Sequence, residues 1–162
     1  MKAEHAGQLD DGDHRYLALW AADCAERVLP NFEEKYPKDD RPRKATEAAR
    51  AWTRGEIRVG LARVAAVAAY AAARDADDAA ARAAARAAGQ AVATAHMAAH
   101  ARHAAAYAVK AVTYAAVPTD AAAAIAAEHD WQYRHLPEHL RPLVFPAGGD
   151  GGRGFASRHV GL

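Results

Sequence analysis

The chain has 162 residues, the ordinary size of one domain, and its formal net charge of +1 gives no strong field for binding nucleic acid or an acidic membrane. About 30% of the residues are alanine, several-fold above ordinary usage. Because alanine is the best helix former and β-branched residues are few, we expect an all-α single-domain bundle or solenoid-like stack of about five to seven helices.

The N-terminal residues contain no apolar run of the kind found in signal peptides, and charged residues interrupt every alanine run. A cytoplasmic location is therefore expected. We predict a flexible N-terminus at residues 1–12, a helical domain at 13–145 and a flexible glycine-rich tail at 146–162.

The first helix is predicted to run from Asp13, as its N-cap, to Lys35. Its core face consists of apolar residues at helical spacing: Leu17, Ala21, Cys24, Val28 and Phe32. The second helix is expected to begin near Pro42, a favourable first-turn residue. Glycines predict a break near Arg54–Glu56, after which the helical pattern continues to about Arg74.

The next helical pattern follows the acidic segment Asp75–Asp78 and continues to about Ala116. That length exceeds a typical globular helix, and Gly89 is the residue at which we expect the interruption. Asp120 begins the last predicted helix, which runs to Leu136.

One flank of the first helix carries Tyr16, Trp20, Asp23 and Arg27. Asp23 lies four residues before Arg27, so the two can form a surface ion pair. The alternative is a carboxylate that faces an internal cavity with Tyr16 and Trp20. The ion pair is favoured, because burying an unpaired carboxylate is costly. Cys24 lies on the apolar side, where a buried inert thiol is expected.

Three histidines, His96, His100 and His103, are spaced by four and three residues, which predicts a single helical face. Tyr107 and Lys110 continue that face. It could be a solvated face, a ligand pocket or, through His96 and His100, a metal site. The solvated face is favoured, because no glutamate completes an HExxH motif and isolated ionisable residues are weak evidence for a site. No cofactor is predicted.

Four segments resemble one known family: LWAADCAERVLPNFE (Leu19–Glu33), DDRPRKATEAARAWTRGEI (Asp39–Ile57), RAAGQAVATAHMAAHA (Arg86–Ala101) with AAYAVKAV (Ala105–Val112), and WQYRHLPEHLRPLV (Trp131–Val144). Together they resemble the Imm-5-like putative immunity protein family of actinobacteria, over most of the chain. His103 lies outside the resembling motif, which weakens a three-histidine metal site.

The resemblance implies an intracellular helical protein paired with a toxin that it neutralises. The matching positions that are unusual in an alanine-rich helix are Trp20, Asp23, Arg41, Pro42, Arg43, Trp52, Gly89, His96 and Trp131.

Two functions are therefore expected to compete. The first is an immunity-type binding protein that neutralises a toxin or sequesters a toxic small molecule, with these candidate binding residues: Tyr16, Trp20, Asp23, Trp52, His96, His100 and Tyr107. The second is a small acid–base enzyme of specialised metabolism, such as a cyclase or isomerase, with His96 and Asp23 as catalytic candidates. Alanine-rich faces also allow a homodimer. Convergence of Trp20, Asp23 and His96 on one buried pocket would favour the enzyme.

Overall fold

The computed structural model describes residues 9–146, and every regular element in that range is helical. The helices are α1 (Asp11–Val28), α2 (Pro30–Glu33), α3 (Arg41–Thr53), α4 (Val59–Asp75), α5 (Ala79–Ala93), α6 (His100–Ala115), α7 (Ala121–His135) and α8 (Arg141–Val144). The all-α prediction is confirmed. Of the segments predicted to be flexible, residues 1–8 and 147–162 lie outside the described residues.

The predicted first helix is in fact two helices. Its N-cap is Asp10, whose side chain accepts a hydrogen bond from the backbone N–H of Asp13 at 2.7 Å, so Asp13 lies within the first turn. Pro30 has no N–H to donate to the carbonyl of Glu26, and this position interrupts the helix. The chain restarts as α2 with Pro30 in its first turn.

The break predicted near Arg54–Glu56 is confirmed. Gly55 adopts a positive φ of 73°, which a glycine reaches without a Cβ clash. Trp52 accepts a backbone hydrogen bond from Gly55, and α4 then begins at Val59. None of the helices in residues 9–146 is both long and apolar enough to cross a lipid bilayer.

Helix α5 lies at the centre of the molecule. It packs between α4 and α6 in one layer, and α1 and α3 pack across that layer. The buried residues of α5 are all alanine or glycine except Val92. These small side chains allow close helix–helix contact, whereas bulky core residues such as Trp20 and Phe32 come from α1 and α2.

Gly89 does not interrupt a helix, contrary to the prediction. Helix α5 continues through it, and the interruption falls at residues 94–99 instead. A Cβ at Gly89 would lie 2.5 Å from Cε1 of Tyr70 in α4. The glycine is therefore needed for the close approach of a tyrosine ring, not for a bend.

We expect Gly89→Ala to lower the free energy of unfolding by about 1–3 kcal/mol, because the new methyl group must displace the Tyr70 ring. Urea denaturation followed by circular dichroism measures the change. Gly60→Ala is the matched control, since Gly60 lies in α4 with open space around its Cα. There, higher helix propensity should leave stability equal or raised. Equal effects of the two substitutions would contradict the packing role of Gly89.

Candidate functional site

Positive charge is concentrated on the outer side of the α4–α5–α6 layer. Helices α5 and α6 contain no acidic residue, and the single one in α4, Asp75, pairs with Arg41. The basic residues on this side define what we call the cationic face: Arg63, Arg74, Arg82, Arg86 and Lys110. None of them forms a salt bridge within residues 9–146, whereas Arg27 of α1, three arginines of α3 (Arg41, Arg43 and Arg50) and Arg134 of α7 do. Arg82 donates to the backbone carbonyl of Ala76, so the charges most available to an outside partner are those of the other four residues.

Tyrosines lie among these cations. The guanidinium of Arg86 and the ammonium of Lys110 lie 5.9 Å and 4.8 Å from the ring centroid of Tyr107. Tyr70 packs against Gly89, and partial burial, together with the nearby Tyr107 hydroxyl, raises the pKa of Tyr70. Tyr70 therefore remains a neutral hydrogen-bonding group at physiological pH.

The three histidines lie at one end of the cationic face. The prediction that they share a helical face is wrong for His96, which lies in the α5–α6 connection, while His100 and His103 belong to α6. Their rings are nevertheless neighbours: the centroids of His96 and His100 are 6.5 Å apart, and those of His100 and His103 are 6.0 Å apart. Within residues 9–146, no group of three or more histidine, cysteine, aspartate or glutamate side chains is arranged to hold a metal ion.

The surroundings of His100 define its tautomer and its protonation state. Its Nδ1 lies 2.7 Å from Oε1 of Gln90 in α5. Partial burial lowers the pKa of His100, and the neighbouring His103 and His96 lower it further. The neutral ring therefore predominates at pH 7, with Nδ1–H donating to the Gln90 amide oxygen. Nε2 is then left as a hydrogen-bond acceptor.

His14 of α1 contacts the α5–α6 connection, although no sequence pattern singles this residue out. Nε2 of His14 lies 2.6 Å from the carbonyl oxygen of Thr94, and its ring packs 4.9 Å from the ring of Trp52. On the outer side, His96 contacts the guanidinium of Arg63. Trp52 therefore supports the histidine end of the site indirectly, through His14.

The candidate residues on α1 lie elsewhere. Trp20 is buried, and its Nε1–H donates to the carbonyl of Gln132 at 3.0 Å. Asp23 accepts a hydrogen bond from Arg50 of α3 at 2.8 Å, so the predicted pair of Asp23 with Arg27 is wrong. Tyr16 is exposed. Trp20 and Asp23 thus contact α7 and α3, and neither contacts the residues that hold His96.

Arg27 instead binds Glu128 of α7, with Nη2 2.9 Å from Oε2. Glu128 and Arg27 occupy the neighbourhood of Cys24, which is fully buried. Burial raises the pKa of the Cys24 thiol well above its usual range, and the charge of Glu128 adds to that effect. The thiol is therefore inert at neutral pH, as expected.

A cleft of about 550 Å³ has a lining distinct from the residues of the cationic face and from the three histidines. The N-terminal end of α1, Ala98 and Ala99 before α6, and α8 line it, and His139 pairs there with Asp13 at 2.8 Å. None of the seven candidate binding residues lines this cleft.

A family model described as Imm-5 like putative immunity protein matches residues 7–139 of the chain. This range includes the cationic face, the three histidines and their supports. No curated protein and no solved structure matches.

Proposed function

This chain belongs to the Imm-5 like putative immunity protein family, and we propose that it neutralises a toxin by binding it through the cationic face. The observation that carries this assignment of the surface is the set of basic side chains on α4, α5 and α6 that lack salt bridges within residues 9–146. Protein–protein interfaces are enriched in arginine and tyrosine. Arg86 and Tyr107 provide that combination at the centre of this surface.

A protein partner fits this surface better than a toxic small molecule. Small-molecule sites are concave, mostly apolar and enclose most of the ligand. Arg63, Arg86 and Lys110 are exposed on the outer side of a helical layer. The exposed cations can instead steer an oppositely charged protein into contact, since complementary charges accelerate association.

An enzyme receives less support from the geometry. General acid–base catalysis needs its groups within hydrogen-bond reach of one substrate. The two catalytic candidates, Asp23 and His96, are each engaged by an arginine from a different helix, Arg50 in α3 and Arg63 in α4. We therefore propose a binding function.

The test uses the product of the gene beside this one as the candidate toxin. We expect co-expression of this chain to restore growth of cells that produce the toxin, and the purified proteins to form a complex by calorimetry. Charge reversal in the double variant Arg86→Glu, Lys110→Glu should weaken binding at least about tenfold, because like charges would then meet.

The control is the double variant Lys35→Glu, Lys38→Glu, which changes the net charge equally in the segment between α2 and α3. It should bind and protect as the wild type does. Absence of both binding and protection by the wild-type chain would overturn the proposed function. Equal loss in both double variants would show that total charge, rather than the cationic face, matters.

A further inference from the structure

The outward side of α4 is apolar although it faces solvent. Leu61, Val64 and Val67 are 60%, 66% and 64% exposed and follow one side of the helix at three-residue spacing. We call these three residues the apolar ridge. Ala68 and Ala71 lie beside it and add no charge.

No other helix in the described range exposes as many as two large hydrophobic side chains. A surface helix ordinarily carries polar residues on its outer side, and a contiguous exposed apolar patch marks an interaction surface. The high alanine content of the chain does not explain the ridge, because the ridge consists of leucine and valine side chains. Three bulky aliphatic groups on one exposed face offer an apolar surface that a partner can cover.

The ridge and the cationic face are continuous. Arg63 and Arg74 lie along the edge of α4 that carries Tyr70, whose ring packs against α5. Beyond that edge, Arg86 continues the positive charge on α5. An apolar centre bordered by arginine and tyrosine is the usual composition of a protein-binding surface.

Charge decides which partner fits this surface. A second copy of this chain would bring two cationic surfaces together, and like charges disfavour that contact. A nucleic acid would satisfy the arginines, but it would leave the apolar ridge in contact with phosphate and water. A partner that presents carboxylates around an apolar stripe satisfies both parts. Because α4 is a helix of 17 residues and the apolar ridge follows one side of it, another helix can pack along it.

We infer that the element recognised by this surface is an acidic amphipathic helix, packed by its apolar side on Leu61, Val64 and Val67. Its carboxylates then pair with Arg63, Arg74 and Arg86. The identity of the protein that carries this helix, the toxin, rests on the proposed function. The recognition chemistry rests on α4 and its neighbours alone.

The probe is a synthetic helical peptide of about 18 residues, the length of α4, with leucines along one side and glutamates on the others. A second peptide has lysines in place of the glutamates. We expect the full chain to bind the acidic peptide at least about tenfold more tightly than the lysine peptide by calorimetry, with affinity that falls as salt rises.

Val64→Asp places a carboxylate in the ridge and should weaken binding of the acidic peptide at least about tenfold. Leu143→Asp is the matched control: Leu143 is 54% exposed, lies in α8 and should tolerate the same change without loss of affinity. Circular dichroism verifies that both variants are folded. Since both positions are exposed, both should retain the wild-type helix content.

Several results would overturn the inference: equal affinity for the two peptides, equal binding by Val64→Asp and Leu143→Asp, tighter binding of a DNA duplex than of the acidic peptide, or wild-type dimers that Val64→Asp dissociates. If the toxin is bound but the acidic peptide is not preferred, the inference fails and the proposed function stands. If the acidic peptide is preferred but the toxin is not bound, the proposed function fails and the docking surface stands.

Discussion

Replacing Trp20 by alanine is expected to lower the free energy of unfolding by about 3–5 kcal/mol. Trp20 is 2% exposed and is the largest fully buried side chain within residues 9–146. It connects α1 to α7 through its hydrogen bond to the carbonyl of Gln132, and its ring meets that of Phe145 edge-on at 6.2 Å. Its removal leaves a cavity that the surrounding alanines are too small to fill.

Urea denaturation followed by far-ultraviolet circular dichroism measures this loss. Trp20→Phe keeps an aromatic ring in the core, but it removes the indole N–H and part of the ring volume. We expect it to cost about 1–3 kcal/mol, less than Trp20→Ala, because the cavity is smaller while the Gln132 carbonyl still loses its donor. Trp52→Ala, at a half-buried tryptophan, is the comparison. A greater loss at Trp52 than at Trp20 would contradict the central role of Trp20.

The core position of Trp20 shows what the sequence could and could not reveal. The apolar stripe predicted for the first helix is confirmed, since Leu17, Cys24 and Val28 are all buried. Their spacing repeats with the helical period, so the information is local. The same spacing places Trp20 on the flank beside that stripe rather than in it. Its burial depends on α7, which lies more than one hundred residues later in the chain.

The prediction for Gly55 is confirmed and the prediction for Gly89 is wrong, because the first depends on local backbone conformation and the second on a residue of another helix. Gly55 ends a helix through its own backbone conformation, and its effect was predictable from the sequence. Gly89 serves a contact with Tyr70, nineteen residues earlier and on another helix. A glycine that allows close packing and a glycine that bends the chain look the same in a sequence. The actual interruption includes Thr94, whose carbonyl is bound by His14.

The candidate site was predictable in part. The spacing of His100, His103 and Tyr107 correctly grouped them on one side of α6. The net charge of +1, however, averages over a chain in which positive charge is concentrated on one surface. The absence of acidic residues from α5 and α6 is visible in the sequence. That Arg86 and Lys110 lack salt bridges within the described range required a structure, because any distant carboxylate could have paired with them.

Removing Arg27 is the second change with a large expected effect. Glu128 is 4% exposed, and Arg27 donates to it through both Nε and Nη2, at 3.1 Å and 2.9 Å from Oε2. The guanidinium also lies 4.0 Å from the ring centroid of Trp131. In Arg27→Ala, a long hydrogen bond from the side-chain amide of Gln132, at 3.5 Å, would remain to Glu128 within residues 9–146.

Arg27→Ala is therefore expected to lower the free energy of unfolding by about 2–3 kcal/mol, because it leaves a buried carboxylate without its cation. This loss of stability is smaller than the loss expected when a fully buried ion pair is broken, because the Arg27 side chain is 38% exposed. Because the only buried residues of α7 are Glu128 and Gln132, amide hydrogen exchange should accelerate in α7 more than in α5.

Arg134→Ala is the matched control, because it breaks an exposed pair with Asp130 on the same helix and should cost at most about 0.5 kcal/mol. The double variant Arg27→Met, Glu128→Leu removes both charges and keeps comparable bulk. We expect it to be more stable than Arg27→Ala, because the penalty comes from the carboxylate left behind rather than from the lost attraction. If the double variant is no more stable than Arg27→Ala, the loss arises instead from the packing of Arg27 on Trp131.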